Sequence, residues 1–212
     1  MGLGEIIERL REEIERDDSI RENILPKARE AVRKCSDAIK EVHRGNFDTA
    51  ERLIEEAHGI VASATEMAEQ SRFLSKSRIL ETAWQEIAEA SNVLSLLRDG
   101  TYVPPEDLGI PTRPYLTGLA DTVGELRRAA LDALRNQELL RAEQLLSLME
   151  NILDELHGLD FPSALVPDLR RKCDVARGLV ERTRGDVTLA HQQSRLVEEL
   201  GKFEGRLKEG QE

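Results

Sequence analysis

The chain has 212 residues, a formal net charge of −11 and a sequence pI near 5.0, and 40% of its residues are hydrophobic whereas 3% are aromatic. This acidic balance argues against nucleic-acid binding through overall charge, so such binding would need a local basic patch. Without a signal-like or transmembrane run, we expect a single soluble, cytoplasmic domain over residues 1–212 and no membrane partner. Long runs with helical periodicity, and no convincing alternating strand, predict an all-α fold.

The first two predicted helices form a long helical hairpin. The first runs from about Gly4 to His43 and is kinked or restarted at Pro26. After a turn at residues 44–48, the second runs to about Ser71. The apolar positions of the first helix that we expect to be buried are Ile6, Ile7, Leu10, Ile14, Ile24, Ala28, Ala31, Val32, Cys35, Ile39 and Val42.

The third predicted helix, from near Lys76 to Gly100, carries two informative carboxylates. Glu86 has apolar residues three, four and seven positions away, so it lies at the edge of the buried stripe and is partly buried. Glu89 lies one turn further on, on the more polar flank. The pair therefore spans the boundary between core and cavity.

A proline-rich connector, residues 101–113, leads into a central helix predicted over Pro114–Arg135. One face of this helix is apolar, and the opposite face carries Asp121 and Glu125 a single turn apart. Because like charges at this spacing cost a few tenths of a kcal/mol, the pair is either a solvated surface or a paired-carboxylate site. The apolar positions are Leu116, Leu119, Val123, Leu126 and Ala130.

Three further helices are predicted over residues 139–157, 163–184 and 188–207, with Gly185 separating the last two and a disordered tail at 208–212. The last helix is polar enough to be solvated, or it contributes an oligomer contact. Cys35 and Cys173 lack metal-ligand spacing and are far apart in sequence, so we expect both to be buried and reduced.

Two metal chemistries fit an acidic helical chain. A ferritin-like di-iron bundle needs inward Glu-x-x-His pairs, yet Glu55 and Asp154, which precede His58 and His157 by three residues, lie opposite the apolar stripes and are expected in solvent. Alternatively, Glu86 and Glu89 combine with Asp121 and Glu125 as hard oxygen ligands for Mg²⁺ or Mn²⁺. Spacing alone favours solvated acids, because such sets arise by chance in a chain that is one-third charged.

Four segments resemble the translin family. Residues 115–126, YLTGLADTVGEL, resemble the Y-L-x-G-x-A-D-x-x-G-E-L pattern of its translin-associated factor X branch, and WQEIAEA at 84–90 resembles that branch's Q-E-x-x-E-A segment. EDLGIP at 106–111 resembles the loop before the family's central helix, and ERTRG at 181–185 its closing helix. The resemblance extends over about residues 20–190 in order and spacing.

The resemblance implies a seven-helix antiparallel bundle that assembles into closed, barrel-like octamers enclosing RNA. A subunit of the factor X type is a Mg²⁺-dependent endoribonuclease, and its catalytic, metal-binding acids fall on Glu86, Glu89, Asp121 and Glu125. The chain is thus expected to cleave single-stranded or short duplex RNA as a homo-oligomer. Carboxylate-held Mg²⁺, or Mn²⁺, would activate water and leave 3′-hydroxyl and 5′-phosphate ends.

Residues 70–78, QSRFLSKSR, form a local basic patch in which Arg72, Lys76 and Arg78 are candidate RNA contacts. Arg78 could instead form a surface pair with Glu81. A non-catalytic helical oligomer that binds single-stranded RNA or DNA is the alternative function. That alternative would explain the fold and the patch but leaves the edge position of Glu86 without a role.

Overall fold

The computed structural model describes residues 2–162 and 164–209, except for the side chains of residues 205 and 207–209. Within these residues the all-α prediction is confirmed, since the described chain forms seven α-helices and a 3₁₀ turn at Leu74–Lys76, without a strand. None of these helices is long and apolar enough to cross a membrane. The helices are α1 (Leu3–His43), α2 (Phe47–Glu69), α3 (Glu81–Arg98), α4 (Pro105–Leu108), α5 (Thr112–Arg135), α6 (Leu139–His157) and α7 (Leu169–Glu209).

Helix α1 is continuous, so the prediction that Pro26 restarts it is wrong. Pro26 removes one backbone donor but lies on the exposed side, where water can satisfy the carbonyl left behind. The buried Ile24 and Ala31 anchor the helix on both sides of it. Packing on these flanking turns therefore outweighs the local preference for a break.

The first half of α1 corrects a second expectation. Its apolar stripe has the predicted helical spacing, yet Ile7, Leu10 and Ile14 are 48%, 44% and 68% exposed, and full burial begins only at Ile24. Periodicity reports which residues share a face, but it does not report whether another element covers that face. This part of α1 extends past the residues that form the core.

The chain divides into two compact units, residues 1–122 and 123–212, so the boundary lies inside α5. In the first unit, α1, α2 and α3 pack through alanines and β-branched residues, whose small or short side chains let the helices approach closely. Cys35 belongs to this core, as expected. The members at its centre include Ala31, Cys35, Ala38, Ala50, Ala57, Val61, Ala83, Ile87, Ala90 and Val93.

The second unit contains the end of α5 together with α6 and α7. Helix α6 has the predicted bounds, but α7 is a single helix through Gly185, so the two separate helices predicted there are wrong. A mid-helix glycine costs only about 1 kcal/mol, and the buried Thr183 and Val187 continue the packed stripe across it. Residue 163, where the first of those helices was expected to begin, lies outside the described residues.

Helix α7 also extends into the predicted tail. Lys208 and Glu209 are helical, which contradicts the disorder predicted for them, whereas residues 210–212 lie outside the described residues. Cys173 is buried near the start of α7, as expected. Beyond Val187 the helix presents Leu196, Leu200 and Phe203 to solvent, so this last stretch is exposed on its apolar side as well.

Candidate active site

Helix α3 is buried on two sides. Ile87 and Ala90 are fully buried and belong to the core made with α1 and α2. A second stripe follows the spacing i, i+3, i+4 and i+7, so its members share another side of the helix. These members are Gln85, Ala88, Glu89 and Asn92.

The second stripe of α3 meets α5 at Gly118. A Cβ atom built on Gly118 would lie 2.4 Å from the carbonyl oxygen of Gln85, 2.8 Å from Cβ of Ala88 and 3.1 Å from the backbone nitrogen of Glu89. No residue with a side chain fits at such distances. Gly118 is itself buried, because this part of α5 packs on α3.

The two α3 carboxylates lie near the core. Glu86 and Glu89 are both half-buried, as the edge position of Glu86 predicts. Burial raises the pKa of the Cys35 thiol to about 12, with smaller contributions in the same direction from the charges of Glu86 and Glu89. The charges of both carboxylates therefore act on the Cys35 thiol of α1. Cys35 stays a protonated, unreactive core thiol at neutral pH.

Asp121 lies one turn after Gly118 on α5 and is half-buried. The side-chain amide of Gln85 donates a hydrogen bond from Nε2 to Oδ2 of Asp121 at 2.8 Å. Since Gln85 immediately precedes Glu86, this bond ties the aspartate to the turn of α3 that bears the first glutamate. Asp121 and the α3 carboxylates thus stand on adjacent turns of two packed helices.

Glu125 follows Asp121 by four residues in α5 and belongs to the second unit. Its carboxylate, half-buried, lies 3.5 Å from the guanidinium of Arg128. An ion pair of this exposure is worth about 0–1 kcal/mol. A divalent cation could therefore compete with Arg128 for the glutamate.

Carboxylate oxygens are the ligands that Mg²⁺ and Mn²⁺ prefer, so the donor type of the four acids fits these ions. Among the residues that the structure describes, however, no group of three or more His, Cys, Asp or Glu side chains is arranged so that it could hold a metal ion. The acids of α3 and Asp121 are brought to neighbouring turns without converging on one point. Metal binding would require their side chains to turn toward a shared ion.

Tyr115 and Asn92 fasten the connector between α3 and α5, a role that the sequence did not reveal. Asn92, fully buried, accepts a hydrogen bond from the backbone nitrogen of Val103 at 3.2 Å, and the Tyr115 hydroxyl donates to the carbonyl of Val103 at 2.8 Å. Burial raises the pKa of Tyr115. The sequence signal for this role was the position of Asn92, which lies seven residues after Gln85 and so on the same side of α3. A buried asparagine there needs a fixed hydrogen-bond partner.

The basic patch precedes α3. Arg72 and Lys76 are exposed, and neither forms an ion pair with any residue that the structure describes. Arg78 forms an ion pair with Glu81, which is the surface pairing that the sequence left open. Arg72 and Lys76 are therefore the more accessible cations of the patch.

The solvent exposure of the candidate ligands excludes the di-iron alternative. Glu55 and Asp154 are exposed, as the helical patterns predict, and cannot contribute ligands to a bundle interior. His58 contacts the carbonyl oxygen of Leu108 through Nε2. Its polar atom therefore serves to attach α4 to α2.

Comparisons with known proteins agree with this architecture. The uncharacterised protein MJ0175 of Methanocaldococcus jannaschii is 32% identical over 184 residues, which cover 86% of this chain and 82% of that protein. The structure of an AfC3PO–duplex RNA complex has a TM-score of 0.79 and 32% identity, and a crystal structure of AfC3PO has a TM-score of 0.77 and 32% identity; each match covers 90% of this chain and 98% of the other.

A crystal structure of apo-NeC3PO, at 19% identity and a TM-score of 0.78, covers 87% of this chain and 96% of its own and supports the fold. The model of the Translin family matches residues 6–184. These residues include both helices of the candidate site and the basic patch. The chain therefore belongs to the translin family.

Proposed function

We propose that this protein is a Mg²⁺-dependent endoribonuclease of the translin-associated factor X type. The observation that carries the proposal is the packing of α3 on α5 at Gly118, with half-buried Glu86, Glu89 and Asp121 on the adjoining turns. The 32% identity to AfC3PO, a protein whose structure has been solved with duplex RNA, supports RNA as the substrate. Partly buried titratable groups are enriched at functional sites.

Of the four acids that the family resemblance assigns to the ion, Glu86, Glu89 and Asp121 lie in the first unit and would hold it. Mg²⁺ bound by these acids would supply a Lewis acid that neutralises charge on the scissile phosphate and lowers the pKa of water. The acids themselves orient the cation, because their backbones are fixed by the packed helices. We expect products with 3′-hydroxyl and 5′-phosphate ends.

The direct test is incubation of the purified full chain with an end-labelled single-stranded RNA, with Mg²⁺ or with EDTA. Cleavage that requires Mg²⁺ or Mn²⁺ supports the proposal. Protection of the RNA without cleavage in either condition would favour the non-catalytic alternative, an RNA-binding oligomer, and would agree with the lack of a converged ligand group among the described side chains.

RNA binding by an acidic chain requires local positive charge, and the exposed Arg72 and Lys76 supply it. Their contacts would be to phosphates, which depend on salt and carry no sequence information. Arg78 would have to exchange its partner Glu81 for a phosphate, so its contribution is expected to be smaller.

Reversing the two accessible charges, Arg72→Glu with Lys76→Glu, is expected to weaken RNA binding by about tenfold or more, because two phosphate contacts become repulsions. The slope of log K against log salt should fall by about 1.4, at roughly 0.7 per lost contact to single-stranded RNA. Electrophoretic or fluorescence titrations at several salt concentrations measure both quantities.

The control is the double reversal Arg170→Glu with Arg171→Glu, which changes the net charge equally at exposed positions of α7. It should leave the RNA affinity within about twofold of the starting value, since it changes the net charge of the protein but not the charge of the patch. Equal losses in both double variants would mean that the patch has no specific role.

The proposed enzyme is a homo-oligomer, and we expect the octamer of the family. Two apolar stripes lie exposed in the single chain, one on the first half of α1 and one beyond Val187 on α7. Soluble monomers rarely expose contiguous apolar patches of this kind. In the first unit, Leu10, Ile14 and Phe73 also line an open groove of about 510 Å³, which a second copy of this chain would cover.

An Ile14→Asp substitution should therefore break the assembly into smaller species. A charge placed in a buried apolar contact costs several kcal/mol, whereas Ile14 is exposed in the single chain and its own helix would tolerate the change. Size-exclusion chromatography with light scattering measures the mass. Arg11→Asp, on an exposed polar position of the same helix, is the matched control, and an unchanged mass in Ile14→Asp would exclude this stripe from the interface.

A further inference from the structure

We propose that a cavity beside the basic patch binds one cytosine base of a single-stranded RNA; this inference deepens the proposed function and rests on its RNA substrate. The cavity has a volume of about 150 Å³ and lies in the first unit, where the end of α2, the 3₁₀ turn and the start of α3 meet. Its apolar wall includes Ile79, Leu80 and Trp84, and its polar wall includes Thr65, Ser75 and Ser77.

The apolar wall fits an aromatic ring. Trp84 is half-buried and packs against the core of the first three helices and against a smaller cluster around Leu74 and Leu80, so its indole is held from behind. Bases of single-stranded nucleic acids stack on aromatic side chains of this kind. An apolar cavity of about 150 Å³ holds one benzene ring, so the volume favours the single ring of a pyrimidine over the two fused rings of a purine.

The polar wall fits a hydrogen-bond donor. Its three hydroxyl groups each donate to a backbone carbonyl three or four positions earlier, Thr65 to Val61 at 2.8 Å, Ser75 to Arg72 at 3.2 Å and Ser77 to Leu74 at 2.7 Å. A hydroxyl has a single proton, so these oxygens can only accept from a ligand. Among the pyrimidines, cytosine offers an exocyclic amine where thymine, and likewise uracil, offers a carbonyl oxygen.

Glu69 strengthens the preference for an amine. It also lines the cavity, and its side chain is exposed at the end of α2. A carboxylate is the side-chain group that accepts from N4 of cytosine in nucleic-acid recognition, and it would repel the O4 oxygen of uracil. The acceptors of the wall therefore agree on one base.

Positive charge stands beside the same cavity. Along residues 75–79, the lining residues Ser75, Ser77 and Ile79 alternate with the exposed Lys76 and Arg78. Neighbouring Cα atoms are about 3.8 Å apart, so both cations start from the edge of the cavity. Lys76 is the accessible one of the two, and it would bind the phosphate of the nucleotide whose base is docked.

Trp84 is the only tryptophan of the chain, so its fluorescence reports on this cavity directly. The full chain in EDTA is titrated with end-labelled oligocytidylate, oligoadenylate and an abasic ribose-phosphate oligomer of the same length. Anisotropy of the label measures RNA binding, and Trp84 emission, corrected with free tryptophan for absorption by the bases, measures occupation of the cavity. We expect oligocytidylate to quench Trp84 and to bind about tenfold more tightly than oligoadenylate, whereas the abasic oligomer leaves the emission unchanged.

Thr65→Leu fills the cavity and keeps the fluorescent probe. The lost hydroxyl bonds only a carbonyl of its own helix, so the melting temperature should not fall, while the affinity for oligocytidylate falls about tenfold. Thr82→Leu makes the same change at an exposed position of α3 and should bind as the unaltered chain does. Glu69→Gln, also at an exposed position, should reduce the preference for oligocytidylate over oligouridylate.

The outcomes separate the cavity from the proposed function. If oligocytidylate binds by anisotropy without a change in Trp84 emission, or binds Thr65→Leu equally well, the cavity is a packing feature and the proposed function stands. Equal affinities for oligocytidylate and oligoadenylate would overturn the choice of base, and saturation of Trp84 by free cytidine monophosphate at the same concentrations would overturn the choice of a strand. A chain that binds none of the oligomers would overturn RNA as the ligand, and the cavity assignment with it.

Discussion

Replacing Asp121 with asparagine is expected to lower RNA cleavage by about a thousandfold, which corresponds to about 4 kcal/mol of lost transition-state stabilisation. The substitution removes one negative charge from the proposed cation site without changing the shape of the side chain. The asparagine carbonyl can still accept the hydrogen bond from Gln85 that now ends on Oδ2. The packing of α3 on α5 should therefore survive, and the loss should appear in catalysis alone.

Glu86→Gln and Glu89→Gln should have effects of similar size, since both carboxylates occupy the adjoining turns of α3. Single-turnover cleavage of a labelled RNA in Mg²⁺ measures each loss, and RNA affinity in EDTA should stay within about twofold because the acids do not attract phosphates. Glu55→Gln, at an exposed position of α2, is the control. Wild-type rates in the α3 and Asp121 variants would remove these residues from the site.

Gly118→Ala should destabilise the fold by about 2–3 kcal/mol, a typical cost of overpacking a site that cannot relax. Alanine normally stabilises a helix by about 1 kcal/mol relative to glycine, so the expected sign is the reverse of the local preference. The reason is that the new methyl group would meet a backbone carbonyl at 2.4 Å. Backbone atoms of Gln85 and Glu89 cannot swing away as the end of a side chain can.

Gly124 on the same helix provides a matched control. A Cβ there would have Cδ1 of Leu179, at 3.9 Å, as its nearest neighbour, which is an ordinary contact. Gly124→Ala should therefore leave the free energy of unfolding unchanged or raise it by up to about 1 kcal/mol. Chemical denaturation of both variants makes the comparison, and equal stabilities would contradict the close approach of α5 to α3.

Much of the fold follows from local patterns in the sequence. Helix α6 has the predicted bounds because its apolar stripe, the turns on either side of it and its length all indicate the same helix. Gly185 led to the incorrect prediction of two helices in place of α7. The free-energy cost of one glycine in a helix is smaller than the stabilisation from burying Thr183 and Val187. Ile14 was expected in the core for a related reason, because a periodic stripe does not state what covers it.

The candidate site was less accessible to sequence reasoning. Helical spacing puts Asp121 and Glu125 on one face of α5, opposite its apolar stripe, and does not predict that Asp121 lies beside α3. Gly118 makes this contact between α5 and α3 possible. A residue without a side chain carries no hydropathy signal, and yet it permits a very close approach to α3. The hydrogen bond from Gln85 to Asp121 joins residues that are 36 positions apart, which no local pattern can predict.

Linearisation of a circular single-stranded RNA is the measurement that tests the proposed endoribonuclease most directly, because a circle has no end for an exonuclease to attack. We expect the unaltered chain to open the circle in Mg²⁺ and to leave it intact in EDTA. The triple variant Glu86→Ala, Asp121→Ala, Glu125→Ala should bind the circle without opening it. A circle that stays closed in Mg²⁺, or one that the triple variant opens at the same rate, would contradict the proposed function and its site.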